Sequence, residues 1–511
     1  MKNLRKIALF LAIILITASF SGCNKKNEAV EGEKEISISV FDRGSVPTSE
    51  GNYQDNRWTK WINEQSGIKV NWIPIVRNQA QEKLNMLAAA GEAPDIICEY
   101  DSNYILQLYY NGITQPVDEY IEKYSTTYKN YLAEKPELKP YITEDGKMFA
   151  ITSKRASEAT ANHGMYIRQD WLDSLGLSTP KTDEEFIEVA RAFTNNDPDK
   201  NNKNDTMGIA MYYDLFMELY MADPLWYLEN DTLEYGTLTD RFASYMGFVK
   251  RLYEEGLIDK EFFTDKESKN QRQFWVTGKA GIYSKQWDES GTNRDLMTNV
   301  PTADPMPLES VATKYGINGL WQESIPNYYA AFNANMKNPQ AAVEFVDWLI
   351  DKGWFTLRYG NEGTHFNMIN GEVPQTIDSE QVKTEMAYTG DYAFLRNWEM
   401  KPEWIPLMAA SDPVSQDLAR RKAIALEVAM KNKFRRDIPY NPRVPELSNL
   451  ILEFTPKVAD IKMQVILGGA GKTPEWGIAE IRNEWDKLGG KDIEKLVNDW
   501  YQKNKGDLNI K

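Results

Sequence analysis

Cysteine and histidine are nearly missing, with two of each in 511 residues. Two histidines, His163 and His365, give a Ser/His/Asp triad or a His-rich zinc centre little to draw on. Basic residues are also short, at 59 Lys and Arg against 75 Asp and Glu, a net charge of −16. So acidic a surface repels phosphate backbones and argues against a nucleic-acid partner. Beyond the first 22 residues no stretch approaches the ~18 continuous apolar residues of a membrane span. Cys98 closes the apolar run "DIIC" and reads as a small core residue, with nothing nearby to lower its thiol pKa.

The N-terminus sets the compartment. Lys2, Arg5 and Lys6 precede an apolar stretch from Ile7 to Ile16, and "TASFSGC" follows. Residues 1–22 therefore read as an export signal, too short for a transmembrane helix. A cysteine at the cleavage junction resembles the lipobox of bacterial lipoproteins, with Phe20 where Leu is usual. The expectation is an acylated Cys23, a lipid anchor on the extracellular face of the cell membrane. Residues 23–35, nearly devoid of apolar side chains, read as a flexible tether. With Cys23 acylated, no intramolecular disulfide is possible. Losing the leader's three positive charges and no negative ones takes the net charge from −16 to −19. The remaining ~475 residues exceed one ordinary core and imply two lobes.

"EISISVF", "GIKVNWI" and "APDIIC" read as strands. Helices over about 53–65, closed by Gly67, and 78–90 separate them. This β-α-β-α-β order predicts a parallel sheet with ligands at the strand carboxyl ends, "FDRGS" and "EYDSN". Thr182 caps a helix with Glu185 as its box partner. Its apolar face is Phe186, Ile187, Val189, Ala190 and Phe193. Asn338 and Pro339 open another helix, with Val343, Phe345, Val346, Leu349 and Ile350 as its buried stripe. The C-terminal part reads as mainly helical, ending in a helical pair.

"DPDKNNKNDTMG", residues 197–208, has the alternate acidic and amide spacing of a calcium loop. Position 12 is Gly208 rather than a bidentate Glu, and a strand follows instead of a second helix. Position 6 is Asn202, which tolerates the left-handed turn. Asp197, Asp199 and Asp205 read as carboxylate ligands of a structural Ca2+, Asn201 as an amide ligand and Lys203 as a backbone ligand, with water or Thr206 completing the shell. The competing reading is a metal-free polar turn.

"YIRQDWLDSLGLSTPKTDEEF", "DPDKNNKNDT", "FWVTGKAGIY", "KNPQAAVEFVDWL" and "YGNEGTHF" occur in that order. On these segments the chain resembles the family 1 extracellular solute-binding proteins, receptor subunits of carbohydrate ABC importers. The similarity is to the large lipoprotein branch of Gram-positive bacteria, related to alginate- and other oligosaccharide-binding receptors. The resemblance implies an α/β, two-lobed periplasmic-binding-protein-like fold (type II), with a ligand cleft between lobes joined by a hinge. It implies a first lobe of 36–155 plus 325–395, and a second of 156–324 plus 396–511 with the calcium loop at 197–206. It also implies an oligosaccharide ligand, ABC permease subunits as partners, a monomer and no catalytic residues.

Sugars offer hydroxyls to planar polar groups and C–H faces to aromatic rings, and the chain has 15 Trp and 27 Tyr. Strand ends nominate Asp42, Arg43, Tyr100 and Asp101 as ligand contacts. Resemblance to maltose-type receptors nominates Trp287 as a stacking platform on the far wall. Tyr166, Arg168, Trp321 and Glu362 are further candidates. Trp61, Trp171 and Trp348 lie in helical stretches and read as packing residues. Arg168 has the alternative of pairing with Asp170. A secreted carbohydrate-active enzyme and a receptor for peptide or glycosaminoglycan are the competing functions.

Overall fold

The structure is a computed structural model describing residues 34–156, 163–210, 214–265 and 269–508. The expected signal segment and Cys23 lie outside the described residues. Two sheets organise the chain. In the first, Glu35–Asp42 runs parallel to Lys69–Val76 and to Ile96–Glu99. Pro326–Asn333 joins antiparallel beside Ile96–Glu99 and pairs on its other side with Thr114–Gln115 and Ile151–Lys154. Ile36, Ile38 and Val40 are buried as their alternation requires. Ser39 is buried as well, because this sheet is covered on both faces. Its hydroxyl accepts the Cys98 amide at 2.8 Å, and the Ser37 hydroxyl donates to Asp95 at 2.8 Å.

The second sheet runs Pro305–Leu308, Gly164–Arg168, Ala280–Lys285, Met207–Ala210. The first two pairs are antiparallel and the last is parallel. Most buried apolar side chains divide between two large clusters. One draws on residues 36–151 and 328–395, the other on 165–320 and 438–508. Tyr440 packs against both.

Local signals place most helices. Asn56, rather than residue 53, starts Arg57–Ser66 through a reciprocal capping box with Thr59, and Gly67 closes it at φ 66°. Thr182 accepts the Glu185 amide at 3.2 Å, but the Glu185 carboxylate reaches the Lys181 amide instead of the cap residue. Asn338 caps Pro339–Trp348 through the Ala341 amide. The predicted stripe Val343, Phe345, Val346, Leu349 and Ile350 is buried, its last two residues in one wider π turn. The closing pair is Pro474–Lys487 and Gly490–Asn504. Cys98 is buried, and burial pushes its thiol pKa up.

One cap comes from a distance. Helix Thr127–Glu134 has no side-chain cap of its own. Asp347 on Pro339–Trp348 supplies it, accepting the amides of Thr126 (2.8 Å), Thr127 (3.0 Å) and Tyr128 (2.9 Å) and the Ser125 hydroxyl (2.6 Å). Asp347→Ala leaves these donors unmatched and is expected to cost about 2–4 kcal/mol. Urea unfolding measures it; a loss below about 1 kcal/mol would show that water replaces the carboxylate.

Candidate functional site

The carboxyl ends of the parallel strands in the first sheet share an edge with the start of antiparallel Pro326–Asn333. Arg43, Tyr100, Ser102 and Asn103 follow the first kind; Ser324 precedes the second, and Asn327 and Tyr328 belong to it. Three stretches of chain lie side by side there. The Arg155 amide donates to the Ile325 carbonyl at 2.9 Å, and the Met400 amide to the Ala156 carbonyl at 2.8 Å. Arg155 also reaches Ser324, Asn327 and Glu323 through its guanidinium.

Beside this seam is a cavity of about 180 Å³, room for about six waters at ~30 Å³ each. One side carries Ser102, Asn103, Tyr141 and Tyr329; the other carries Trp226, Tyr227, Trp321 and the segment 435–441. Its walls thus come from both halves of the molecule and combine aromatic rings with amide, hydroxyl and guanidinium groups. Trp321 is half-buried. Its amide donates to Glu218 at 2.6 Å, and its ring packs on Phe434, with the Arg436 guanidinium 5.0 Å from its centre. Glu218 is buried and its other oxygen lies 2.5 Å from His163 Nδ1. Burial pushes the Glu218 pKa up, opposed chiefly by that histidine.

A second recess contains Arg43, Tyr100, Asn327, Tyr328, Asp391 and Arg396. Arg43 donates to Asp391 at 2.8 Å and to the Tyr100 hydroxyl at 3.2 Å, and Tyr53 donates to Asp391 at 2.8 Å. Burial raises the Asp391 pKa, and the Tyr53 hydrogen bond and the Arg43 charge oppose it. Phe41 stacks on Tyr100, which touches Tyr328.

The structure brings Arg43 and Tyr100 together in one recess and sets Trp321 in the larger cavity. Asp42 and Asp101 turn to the backbone instead. Asp42 accepts the Gly44 amide at 2.8 Å; Asp101 caps Ser102–Tyr110 through Asn103 and takes the Gln81 amide group. Trp287 is half-buried and packs with Ile405, Ala419, Ala423 and Leu426, with Lys422 5.6 Å from its ring centre. Gly164 permits its close approach, since a Cβ there would meet the Trp287 Cα at 2.9 Å. Tyr166 is buried and donates to the Trp287 carbonyl at 2.6 Å, so it positions the tryptophan and leaves no free hydroxyl. Glu362 is exposed at a backbone bridge to Phe366 and lines neither recess. His365 is a core residue, 2.9 Å from Glu385.

Arg168 takes the second of its two sequence readings, pairing with Asp170. It is 2 % exposed, forks onto Asp170 at 2.8 and 2.6 Å and lies 4.6 Å from the Trp171 ring centre. Sequence adjacency to a strand end gave no hint that the side chain turns inward. Conversely, Arg396, Arg436, Tyr141 and Tyr227 line the recesses without having been singled out. "RRDIPYNP" (435–442) carried the one available signal, an arginine pair and aromatic in a proline-broken stretch of a region read only as helical.

Loop 197–206 runs from helix Asp183–Asn195 to strand Met207–Ala210, as read. Asn202 has φ 60°, and Asp197 and Lys200 are also left-handed. Asn201 is central: its amide group donates to Asp199 and Asp205, and its backbone N–H to Asp197. Burial and the neighbouring Asp197 hold the Asp199 pKa up. Three carboxyl groups and an amide are the donor types a hard divalent cation takes, but here the Asn201 amide group bridges Asp199 and Asp205 and its Oδ1 accepts the Lys203 amide at 2.7 Å. Among the described residues, no three His, Cys, Asp or Glu side chains are grouped so as to hold a metal ion. The Thr206 hydroxyl donates to the Phe193 carbonyl at 2.8 Å.

Residues 52–354 match the family described as bacterial extracellular solute-binding protein, and the chain belongs to that family. The polygalacturonan/rhamnogalacturonan-binding protein YtcQ of Bacillus subtilis is 29 % identical over 59 % of this chain and 61 % of its own length. The fructooligosaccharide ABC transporter substrate-binding protein FusA of Streptococcus pneumoniae is 28 % identical over 60 % of this chain and 63 % of its own. The chain thus aligns with about three fifths of each of these relatives. Lipoprotein LipO of B. subtilis is 23 % identical over 97 % of this chain and 98 % of its own. The fold matches that of FusA in complex with kestose, at TM-score 0.70 and 18 % identity over 93 % of this chain and all of that one. It matches alginate-binding protein AlgQ2 at TM-score 0.67 and 18 % identity over 92 % of this chain and 98 % of that one. The architecture is therefore the two-lobed solute-binding fold.

Arg168→Ala breaks a buried ion pair and is expected to cost about 3–5 kcal/mol. Binding by the protein that remains folded should be unchanged. Calorimetric titration after size selection checks this, and a tenfold loss of affinity would return Arg168 to the cleft.

Proposed function

We propose that the protein is the receptor of an ABC importer, capturing an oligosaccharide between its lobes and presenting it to membrane permease subunits. The cavity walled from both halves by Tyr141 and Tyr329 on one side and Trp226, Tyr227 and Trp321 on the other carries this reading. Aromatic faces pack against sugar C–H groups, while amides and guanidinia take the hydroxyls. A ligand touching both walls favours the closed arrangement by its differential affinity for it. Membership of the solute-binding family supports binding without turnover. Under this reading the lobes are 36–155 with 325–395 and 156–324 with 396–511, and a lipid on Cys23 holds the monomer to the outer face of the membrane. Arg43 and Tyr100 join Trp321 as ligand contacts.

The test is a thermal-shift and calorimetric screen of oligosaccharides, with product analysis of the same mixtures. A ligand at 100 times its dissociation constant adds ~2.7 kcal/mol to stability. Stabilisation with the sugar recovered intact is expected; cleaved sugar would favour an enzyme. Trp321→Ala should weaken the selected sugar at least ~10-fold, about 1.4 kcal/mol, with a smaller effect on melting.

We further propose a structural Ca2+ held by Asp197, Asp199, Asn201, the Lys203 carbonyl and Asp205. Bound there, the ion would join the end of one helix to the start of a sheet strand. Chelation should lower Tm by at least ~2 °C, and Asp199→Asn should abolish that response. An identical Tm with and without chelator would leave the loop a metal-free turn.

A further inference from the structure

We infer that the cleft selects oligosaccharides bearing carboxylates, such as uronic-acid oligomers, and that Arg436 and Arg396 recognise the charge. This rests on the receptor reading above.

Acidic residues outnumber basic ones in this chain, 75 to 59, so a guanidinium without an acidic partner is unexpected. The other arginines of the seam follow expectation. Arg43 pairs with Asp391, Arg155 with Glu323, Arg435 with Glu229 and Asp437, and Arg443 with Glu144. Arg436 and Arg396 do not: among the described residues neither forms an ion pair. Arg436 makes one hydrogen bond, from Nη2 to the Gln322 carbonyl at 2.6 Å. Its plane lies against Trp321 and Phe434, with ring centres at 5.0 and 5.6 Å, leaving Nε and Nη1 without a partner beside the cavity. Among the described residues the Arg396 guanidinium donates only to the Ala393 and Gly390 carbonyls, at 3.1 and 3.0 Å, and lines the recess with Arg43 and Tyr100. Glu323 and Asp223 act on Arg436 through space without forming an ion pair with it: Glu323 bonds Arg155, and Asp223, whose pKa burial pushes up, accepts the Tyr227 hydroxyl at 3.3 Å. Arg358, over the Trp398 ring at 4.9 Å, adds positive charge near Arg396, while Asp391, already paired with Arg43 in the same recess, pulls the other way without forming an ion pair with Arg396. Burial, joined for Arg396 by repulsion from Arg358, pulls both guanidinium pKa values down, that of Arg396 to about 10.

Desolvating a guanidinium without a counter-ion is unfavourable. A planar fork stacked on an aromatic ring is pre-oriented for bidentate contact with a carboxylate. Trp321 and Arg436 together therefore present a surface for the sugar face beside a fork for its carboxylate. A neutral sugar satisfies the donors but not the charge.

The experiment titrates the full-length mature protein with trimers of galacturonate, glucuronate and mannuronate, with the methyl ester of the best trimer, and with neutral hexose trimers. One acidic trimer should bind at least 30-fold more tightly than its methyl ester, and its affinity should fall with added salt. Arg436→Gln should weaken that trimer at least 20-fold, change neutral-sugar binding less than threefold and leave Tm unchanged or raised; Arg396→Gln repeats the test at the second recess. A neutral trimer binding as tightly as any acidic one, or both variants weakening neutral and acidic sugars equally, overturns the charge reading and leaves the receptor. Failure of every oligosaccharide to bind overturns both.

Discussion

The chain leaves its first sheet after Lys154 and re-enters it at Pro326, and this return governs the architecture. Pro326–Asn333 is inserted antiparallel between Ile96–Glu99 and Ile151–Lys154. A strand added in that sense begins at the edge where its parallel neighbours end. Its first residues therefore meet the loops after Asp42 and Glu99. Between these points, the buried apolar side chains from Met165 to Leu320 pack in clusters apart from the one around this sheet. The Arg155 guanidinium, spanning Ser324, Asn327 and Glu323, stitches exit to return. Charged and amide side chains gather at the seam because the strand interiors admit few polar groups, and Ser37 and Ser39, which lie there, each have a bonded partner.

Sequence pattern was informative wherever a local rule determines geometry. The three parallel strands, the caps at Thr182 and Asn338, Gly67 and the left-handed Asn202 follow from steric or hydrogen-bonding demands that a few neighbouring residues satisfy. The site was less legible. Strand-end reasoning found Arg43 and Tyr100, but residue type alone could not say that Asp42 and Asp101 would spend their carboxylates on the Gly44 and Asn103 amides. Arg168 was half legible: the sequence named Asp170 as an alternative partner, but not the burial of the guanidinium beside the Trp171 ring. The arginines at 396 and 436 lie far along the chain from the sheets whose edges they reach, a long-range placement that no periodicity encodes.

A buried polar pair also steadies one wall of the cavity from within the second half. Glu218 takes the Trp321 amide and His163, fixing the chain just before one strand of the second sheet against the residue that lines the cavity. The amide bond orients the backbone under the Trp321 ring, and Phe434 and Arg436 hold its face. An aromatic platform constrained from three directions loses little rotamer entropy on contacting a ligand, which makes its area more effective per contact.

A further link constrains how the halves can move. Arg443, from the second half, donates to the Thr143 carbonyl at 2.7 Å and pairs with Glu144 in the first, while its guanidinium lies 4.2 Å from the Tyr440 ring centre. Tyr440 in turn stacks edge-on with Tyr141 of the first half. Pulling these groups apart would strand a mostly buried guanidinium, a larger cost than rotating about them. Tyr141 and Tyr440 also line the cavity. The two halves are thus tied at the cavity itself, and under the receptor reading a change in the angle between its walls that keeps this link costs less than their separation.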